Sequence, residues 1–148
     1  MEFVFLSPGE LSEADVWLGL LSTSPADAAR GYAPSYSFGI YRDRERVGTI
    51  DFRAGSREAM YLVGHIGYTV FPEARGHRYA AKACRALFPF AKRHGFSSVI
   101  ITCNPDNIAS KKTCEAVGGE LLEIMDIPVS HAMYRSGDRQ KCIFKVIL

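Results

Sequence analysis

Phe71-Pro72-Glu73-Ala74-Arg75-Gly76-His77-Arg78-Tyr79-Ala80 is the stretch from which the chain is best read. An apolar, β-rich run ends there, a proline turn follows, and helical periodicity begins at Ala80. The first turn of a helix has amide groups without intrahelical partners and a partial positive charge, so it holds anions through its backbone. Arg75 and Arg78 add charge-assisted donors on the same loop. The expected ligand is a pyrophosphate seated on Arg75, Gly76, His77, Arg78, Tyr79 and Ala80.

Upstream, Tyr61 to Phe71 reads as one long strand in which Gly64 and Gly67 mark a bulge or a close backbone approach. Downstream, Ala80, Ala83, Cys84, Leu87 and Ala91 share one helical face. Pro89 is expected to kink that helix and Gly95 to end it. Ser98 to Cys103 is a continuous apolar strand. Asp106 or Asn107 caps a helix that ends at Gly118-Gly119. Glu120 to Ile127 and Gln140 to Leu148 are further strands, joined by the polar loop Ser130 to Arg139.

At the other end, Phe3 to Leu6 reads as a short strand. Ser7-Pro8-Gly9-Glu10 then offers a cap, a proline and a capping-box acid, with Leu11, Ala14, Leu18 and Leu21 at helical spacing. Ser24-Pro25 restarts a second short helix that Gly31 terminates. Tyr36, Phe38 and Ile40 alternate with polar or small residues, and Val47 to Arg53 forms the second arm of a hairpin. The order β-α-α-β-β-β-α-β-α-β-β predicts an α/β fold with a mixed sheet of about seven strands, in one domain over residues 1–148.

On these residues the chain resembles the GNAT acetyltransferases. Their cofactor loop reads Arg/Gln-x-x-Gly-x-Gly/Ala at such a strand-to-helix junction; Arg75, Tyr79 and Ala80 fit, whereas Arg78 stands where the family has glycine. Asn107-Ile108-Ala109-Ser110, continuing to Glu115 and Gly118, is similar to the family's Asn-x-x-Ser-x-x-x-Tyr-Glu-x-x-Gly helix. His65-Ile66-Gly67-Tyr68-Thr69-Val70 resembles the fourth strand of members that modify protein N-termini, and the likeness runs over about Val47 to Ile124.

The resemblance implies a sheet splayed between its fourth and fifth strands, with acetyl-CoA in the opening. Its pantetheine arm is expected to pair with the backbone near Tyr68, Thr69 and Val70, where Gly67 forms a bulge and a backbone N–H near Val70 stabilises the oxyanion. Asn107 and Ser110 are the implied cofactor contacts. Transfer of the acetyl group to a primary amine requires a proton acceptor. His65 is the candidate base, with an unperturbed pKa of about 6.5, and a water chain is the alternative. The leaving thiolate takes a proton from the family's tyrosine, a position held here by Cys114; the thiol, Ser110 or solvent can supply it. Glu123, Asp51 and Arg53 are candidates for substrate contacts. The acceptor is a protein N-terminus or a small amine. A non-catalytic acyl-CoA-binding module of the same fold is the rival reading, and a homodimer is compatible with the family.

Composition narrows the remaining classes. A formal charge of +2 over 148 residues is too small for a nucleic-acid partner. No run approaches the roughly 20 apolar residues of a membrane span, and Met1 to Leu6 lacks the basic and apolar regions of a secretory leader. Cys84, Cys103, Cys114 and Cys142 are scattered without metal-ligand spacing, so no metal is expected and reduced thiols in a cytoplasmic protein are.

Overall fold

The alternation at Tyr36, Phe38 and Ile40 becomes the middle of a meander. The computed structural model describes residues 2–148, so Met1, where the leader expectation begins, lies outside the described residues. Strands β1 (Leu11–Glu13), β2 (Val16–Ser24), β3 (Ser35–Arg42), β4 (Glu45–Arg53) and β5 (Ile66–Val70) form a five-stranded sheet in sequence order, each pair antiparallel. Strands β6 (Ser98–Cys103), β7 (Glu120–Asp126) and β8 (Gln140–Ile147) form a second antiparallel sheet in the order β6-β8-β7. The class is α/β with close to the expected number of strands. The expected single sheet is divided in two, and the division falls between β5 and β6, the fourth and fifth strands of the sequence reading.

The entry differs from the sequence reading. Phe3 to Leu6 is not a strand, although Phe3 and Leu6 pack on the core and the Leu6 amide donates to the Tyr36 hydroxyl at 2.7 Å. The expected helix over Leu11 to Leu21 is the β1–β2 hairpin, turned by Ala14 at φ 53°. Leu11 and Leu18, which look like neighbours two turns apart on a helix, are cross-strand partners and both are buried. The second helix is reduced to a 3-10 turn, Ala28–Arg30, capped by the Asp27 carboxylate and ended by Gly31 as expected. The strand expected from Tyr61 begins only at Ile66, because Gly64 at φ +86° turns the chain after helix α1 (Arg57–Met60).

Helix α2 (Tyr79–Arg93) continues through Pro89 and packs across the five-stranded sheet. Its Phe90 ring lies 4.8 Å from Tyr36 and 6.0 Å from Phe38 by centroid, edge to face, and all three are fully buried. Each ring contributes about 1.5–3 kcal/mol by leaving water. Helix α3 (Ile108–Ala116) starts at its Asn107 cap and ends at Gly118-Gly119, as the sequence indicates. Within the polar loop a short helix, α4 (Ala132–Arg135), turns back toward β8. The core therefore fixes α2 on one sheet, with its first turn following the exposed turn that ends β5.

Candidate functional site

Alternation along β5 defines the gap. The amides of Arg53 and Phe71 bond to the carbonyls of His65 and Val47, which sets the odd-numbered residues of β5 facing β4. Ile66, Tyr68 and Val70 consequently turn their amides and carbonyls toward the gap. Thr69, also expected at the cofactor, directs its backbone groups to β4 instead. The register between β4 and β5 is continuous, so Gly67 is not a bulge. Its lack of a side chain has another cause: a Cβ there would stand 2.7 Å from the Nη2 of Arg53, whose guanidinium lies across it.

The gap closes at one end. The His65 amide donates to the Ile100 carbonyl at 2.7 Å, and the Ile100 amide donates to the His65 Nδ1 at 2.9 Å. Because Nδ1 accepts, the ring proton is on Nε2, which donates to the Gly55 carbonyl at 3.0 Å. His65 is 2% exposed, and burial, reinforced by the nearby Arg53 cation, holds its pKa below the usual histidine value. The candidate base thus has both nitrogens engaged and no face on the opening. This corrects the sequence expectation: burial that suits a sheet-linking histidine removes the lone pair a base needs.

Along the other wall, Tyr68 reaches from β5 to α3. Its hydroxyl is 2.7 Å from the Ser110 Oγ and 4.0 Å from the Cys114 Sγ. Cys114 is fully buried, and its hydrogen bond to Cys103 together with burial drives its thiol pKa far up. A tyrosine ring from the strand therefore occupies the region beside the helix position where the family motif carries its own tyrosine. Burial also raises the Tyr68 phenol well above the ordinary value, so it remains protonated. Asn107 spends its Oδ1 on the Ser110 amide at 3.1 Å as the cap of α3.

The expected anion loop, Arg75 to Ala80, joins β5 to α2. A 3-10 turn, Pro72–Ala74, leads into Arg75 and Gly76, the latter at φ +91°. Arg78 is the N-cap of α2 at φ 60° and ψ 28°, with no side chain bonded to the helix start and no acid in the first turn. This left-handed backbone is what glycine adopts without cost, so the family's glycine and this arginine serve one geometry. Arg75, Gly76, His77 and Arg78 are exposed, and Arg75 donates from Nε to the Val70 carbonyl at 3.4 Å. The Tyr79 side chain is buried in the core, which leaves only its amide for a ligand.

Between the two sheets lies a cavity of about 230 Å³ bounded by Gly67, Tyr68, Cys103, Asn107 and Ser110 on the expected cofactor side. Arg53, Asn104 and Lys141 line it as well, and sequence reasoning missed the last two. Lys141 bonds to the Asn104 Oδ1 at 2.5 Å and pairs with Asp138 at 3.4 Å, while the Asn104 amide donates to Asp138 at 3.0 Å. Among the described residues no carboxylate lines this cavity. A wider surface hollow around Glu10, Asp15 and Asp43 is acidic, the wrong sign for a pyrophosphate.

Residues 1–120 match the protein family described as the acetyltransferase (GNAT) domain. Among solved structures, the RimL ribosomal L7/L12 α-N-protein acetyltransferase in complex with coenzyme A is 24% identical, with a TM-score of 0.62. The alignment covers 81% of this chain and 64% of that one, so the chain spans less than two thirds of that protein's length. A candidate ribosomal-protein-serine acetyltransferase from Vibrio cholerae is 14% identical over 97% of this chain and 100% of its own, with a TM-score of 0.67. The microcin C7 self-immunity acetyltransferase MccE, in complex with acetyl-CoA and AMP, is 15% identical over 77% and 61%, with a TM-score of 0.61. Among curated proteins the sequence has no match.

Proposed function

The chain belongs to the GNAT acetyltransferase domain family, and from that premise we propose that it transfers an acetyl group from acetyl-CoA directly to a primary amine. The observation that carries this reading is the open backbone edge of β5 leading from the uncapped start of α2 to the cavity at Tyr68 and Ser110. The cofactor supplies an activated acetyl thioester. Amides of Gly76 to Ala80, with Arg75 and Arg78, hold its pyrophosphate; the Val70 amide and the Tyr68 carbonyl pair with its pantetheine arm. Asn107 and Ser110 contact it from α3.

Proximity and charge stabilisation supply most of the rate. The Tyr68 amide, which faces the gap farther from α2 than Val70 does, is the donor for the oxygen that gains charge as the amine adds to the carbonyl. In place of Cys114, the Tyr68 hydroxyl and Ser110 form a protonated relay at the end of the gap and return a proton to the leaving thiolate. With His65 engaged and no carboxylate on the cavity wall, water removes the amine proton. The absence of a side-chain base favours α-amines, with a pKa of about 8, over lysine ε-amines at about 10.4, because more of the former is neutral at working pH.

The same absence is what favours the rival, an acyl-CoA-binding module without turnover. RimL modifies a ribosomal protein N-terminus by its description, and a protein or peptide α-amine is the acceptor class that this chain's cavity also suits. The test is a panel of peptides and small amines mixed with acetyl-CoA and a thiol-detecting reagent. Release of coenzyme A dependent on an α-amine supports transfer. Protection of the fold by coenzyme A without release from any member supports the binding module.

A further inference from the structure

Among the described residues Arg53, at the wall of the cavity, is a cation without an ion-pair partner. Its Nη1 is tethered to the Gly64 carbonyl at 3.1 Å and reaches the Val63 carbonyl at 3.5 Å. Neither Nη2 nor Nε has a partner among the described residues, and Arg53 makes no ion pair there. Asp51, on the same face of β4, acts on it at longer range without closing to 4 Å, and burial weakens the charged form. Gly67 is bare where the guanidinium crosses β5, so the backbone is shaped around this side chain. The other cation on the wall, Lys141, is already neutralised by Asp138. The cavity thus presents one unbalanced positive charge, with the planar Nε–Nη2 edge of a guanidinium uncommitted.

A half-buried charge is stable when an opposite charge completes it, and a two-donor planar edge matches a carboxylate in bidentate geometry. We infer that the amine acceptor carries a carboxylate that pairs with Arg53 beside the reacting end of the gap. The inference rests on the acetyltransferase reading and adds the chemical class of its acceptor. A single unbalanced cation suits a monoanion better than a dianionic phosphate. The carboxylate belongs either to an acidic side chain of an N-terminal residue or to the α-carboxylate of a free amino acid.

Two matched pairs separate these sources: aspartyl-alanine amide against asparaginyl-alanine amide, and free alanine against alanine amide. Acetylation by the wild-type chain is expected to favour the carboxylate member of one pair at least tenfold in kcat/KM, through KM. Arg53→Gln is expected to reduce that preference below about threefold, with Arg53→Lys between the two. Melting curves and coenzyme A affinity of each variant report whether the loss is confined to the acceptor. Should Arg53→Gln fail to fold, the wild-type comparison stands alone. Equal or better use of the neutral member in both pairs overturns the inference. Should no member turn over, titration of the N-acetylated members of both pairs in the presence of coenzyme A decides separately. Tighter binding of acetyl-aspartyl-alanine amide than of its asparaginyl counterpart, or of N-acetylalanine than of its amide, sustains the carboxylate site although transfer fails, and equal or absent binding in both pairs overturns it.

Discussion

Nδ1 of His65 stands in for a backbone carbonyl, accepting the Ile100 amide at 2.9 Å while the His65 amide returns a bond to the Ile100 carbonyl at 2.7 Å. The two sheets are joined at this point and separate beyond it. The opening needed for a ligand therefore begins where a side chain takes over from the ladder.

Replacing His65 with leucine leaves the Ile100 amide and the Gly55 carbonyl without partners in a buried place. The expected loss is about 1–3 kcal/mol for each group left unsatisfied, read from urea unfolding at neutral pH. A loss below about 0.5 kcal/mol would contradict the linking role.

The same ring gives a pH signature. Burial keeps the folded-state pKa of His65 below the ordinary value of about 6.5, and His94, beside the Tyr36 hydroxyl, shifts in the same direction. Below that pH the unfolded chain binds protons that the folded chain refuses. Stability contributed by the neutral rings is complete above pH about 6.5 and is lost as pH falls through their folded values. Unfolding midpoints between pH 7 and 5 should fall for the wild type and fall less steeply for His65→Leu; parallel slopes would exclude His65.

Arg78 carries a left-handed backbone at the entrance to α2. Arg78→Gly relieves roughly 1–2 kcal/mol of strain against roughly 0.5–1 kcal/mol of added chain entropy, so its melting temperature should match or exceed that of the wild type. Coenzyme A affinity should nevertheless fall, and Arg75→Ala with Arg78→Ala should weaken it at least about tenfold, or 1.4 kcal/mol. Unchanged affinity in the double variant would move the pyrophosphate elsewhere.

The Tyr68 ring explains a small residue at position 114. Cys114→Tyr introduces a second ring into a fully buried place beside it and should cost at least about 1–3 kcal/mol. Adding Tyr68→Ala should recover a substantial part of that loss, since the two sites touch and their effects are not additive. Additive losses in thermal unfolding would show that the rings do not compete for space. Tyr68→Phe should keep the fold and lower kcat, whereas an unchanged kcat would remove the phenol from the proton path.

Local signals carried the part of the fold that is locally determined. The turn at Pro72, the cap at Asn107 and the stop at Gly95 each depend on a few consecutive residues, and each is where the sequence put it. The first hairpin resembles a helix in sequence because Leu11 and Leu18 satisfy a helical spacing and a cross-strand pairing equally, and Ser7 to Glu10 has the composition of a helix cap. Within the site, the backbone form of the Arg75 to Ala80 loop is legible for the same local reason. Arg53 over Gly67, His65 with Ile100, and Lys141 with Asn104 and Asp138 bring together residues distant in sequence. No periodicity encodes those meetings, so the sequence alone suggests a bulge at Gly67 and a base at His65.

Capture of a pyrophosphate by the first turn of α2 is tested most directly by titrating coenzyme A into the wild type and Ala80→Glu. Ala80 is partly exposed in a first turn that has no acid. A glutamate there complements the helix dipole and should raise stability by about 0.3–1 kcal/mol. Its charge would also occupy the anion position. The expected result is a melting temperature equal to or above that of the wild type, with coenzyme A affinity reduced at least tenfold. A variant that binds coenzyme A as tightly as the wild type would contradict the assignment of that helix start as the cofactor site.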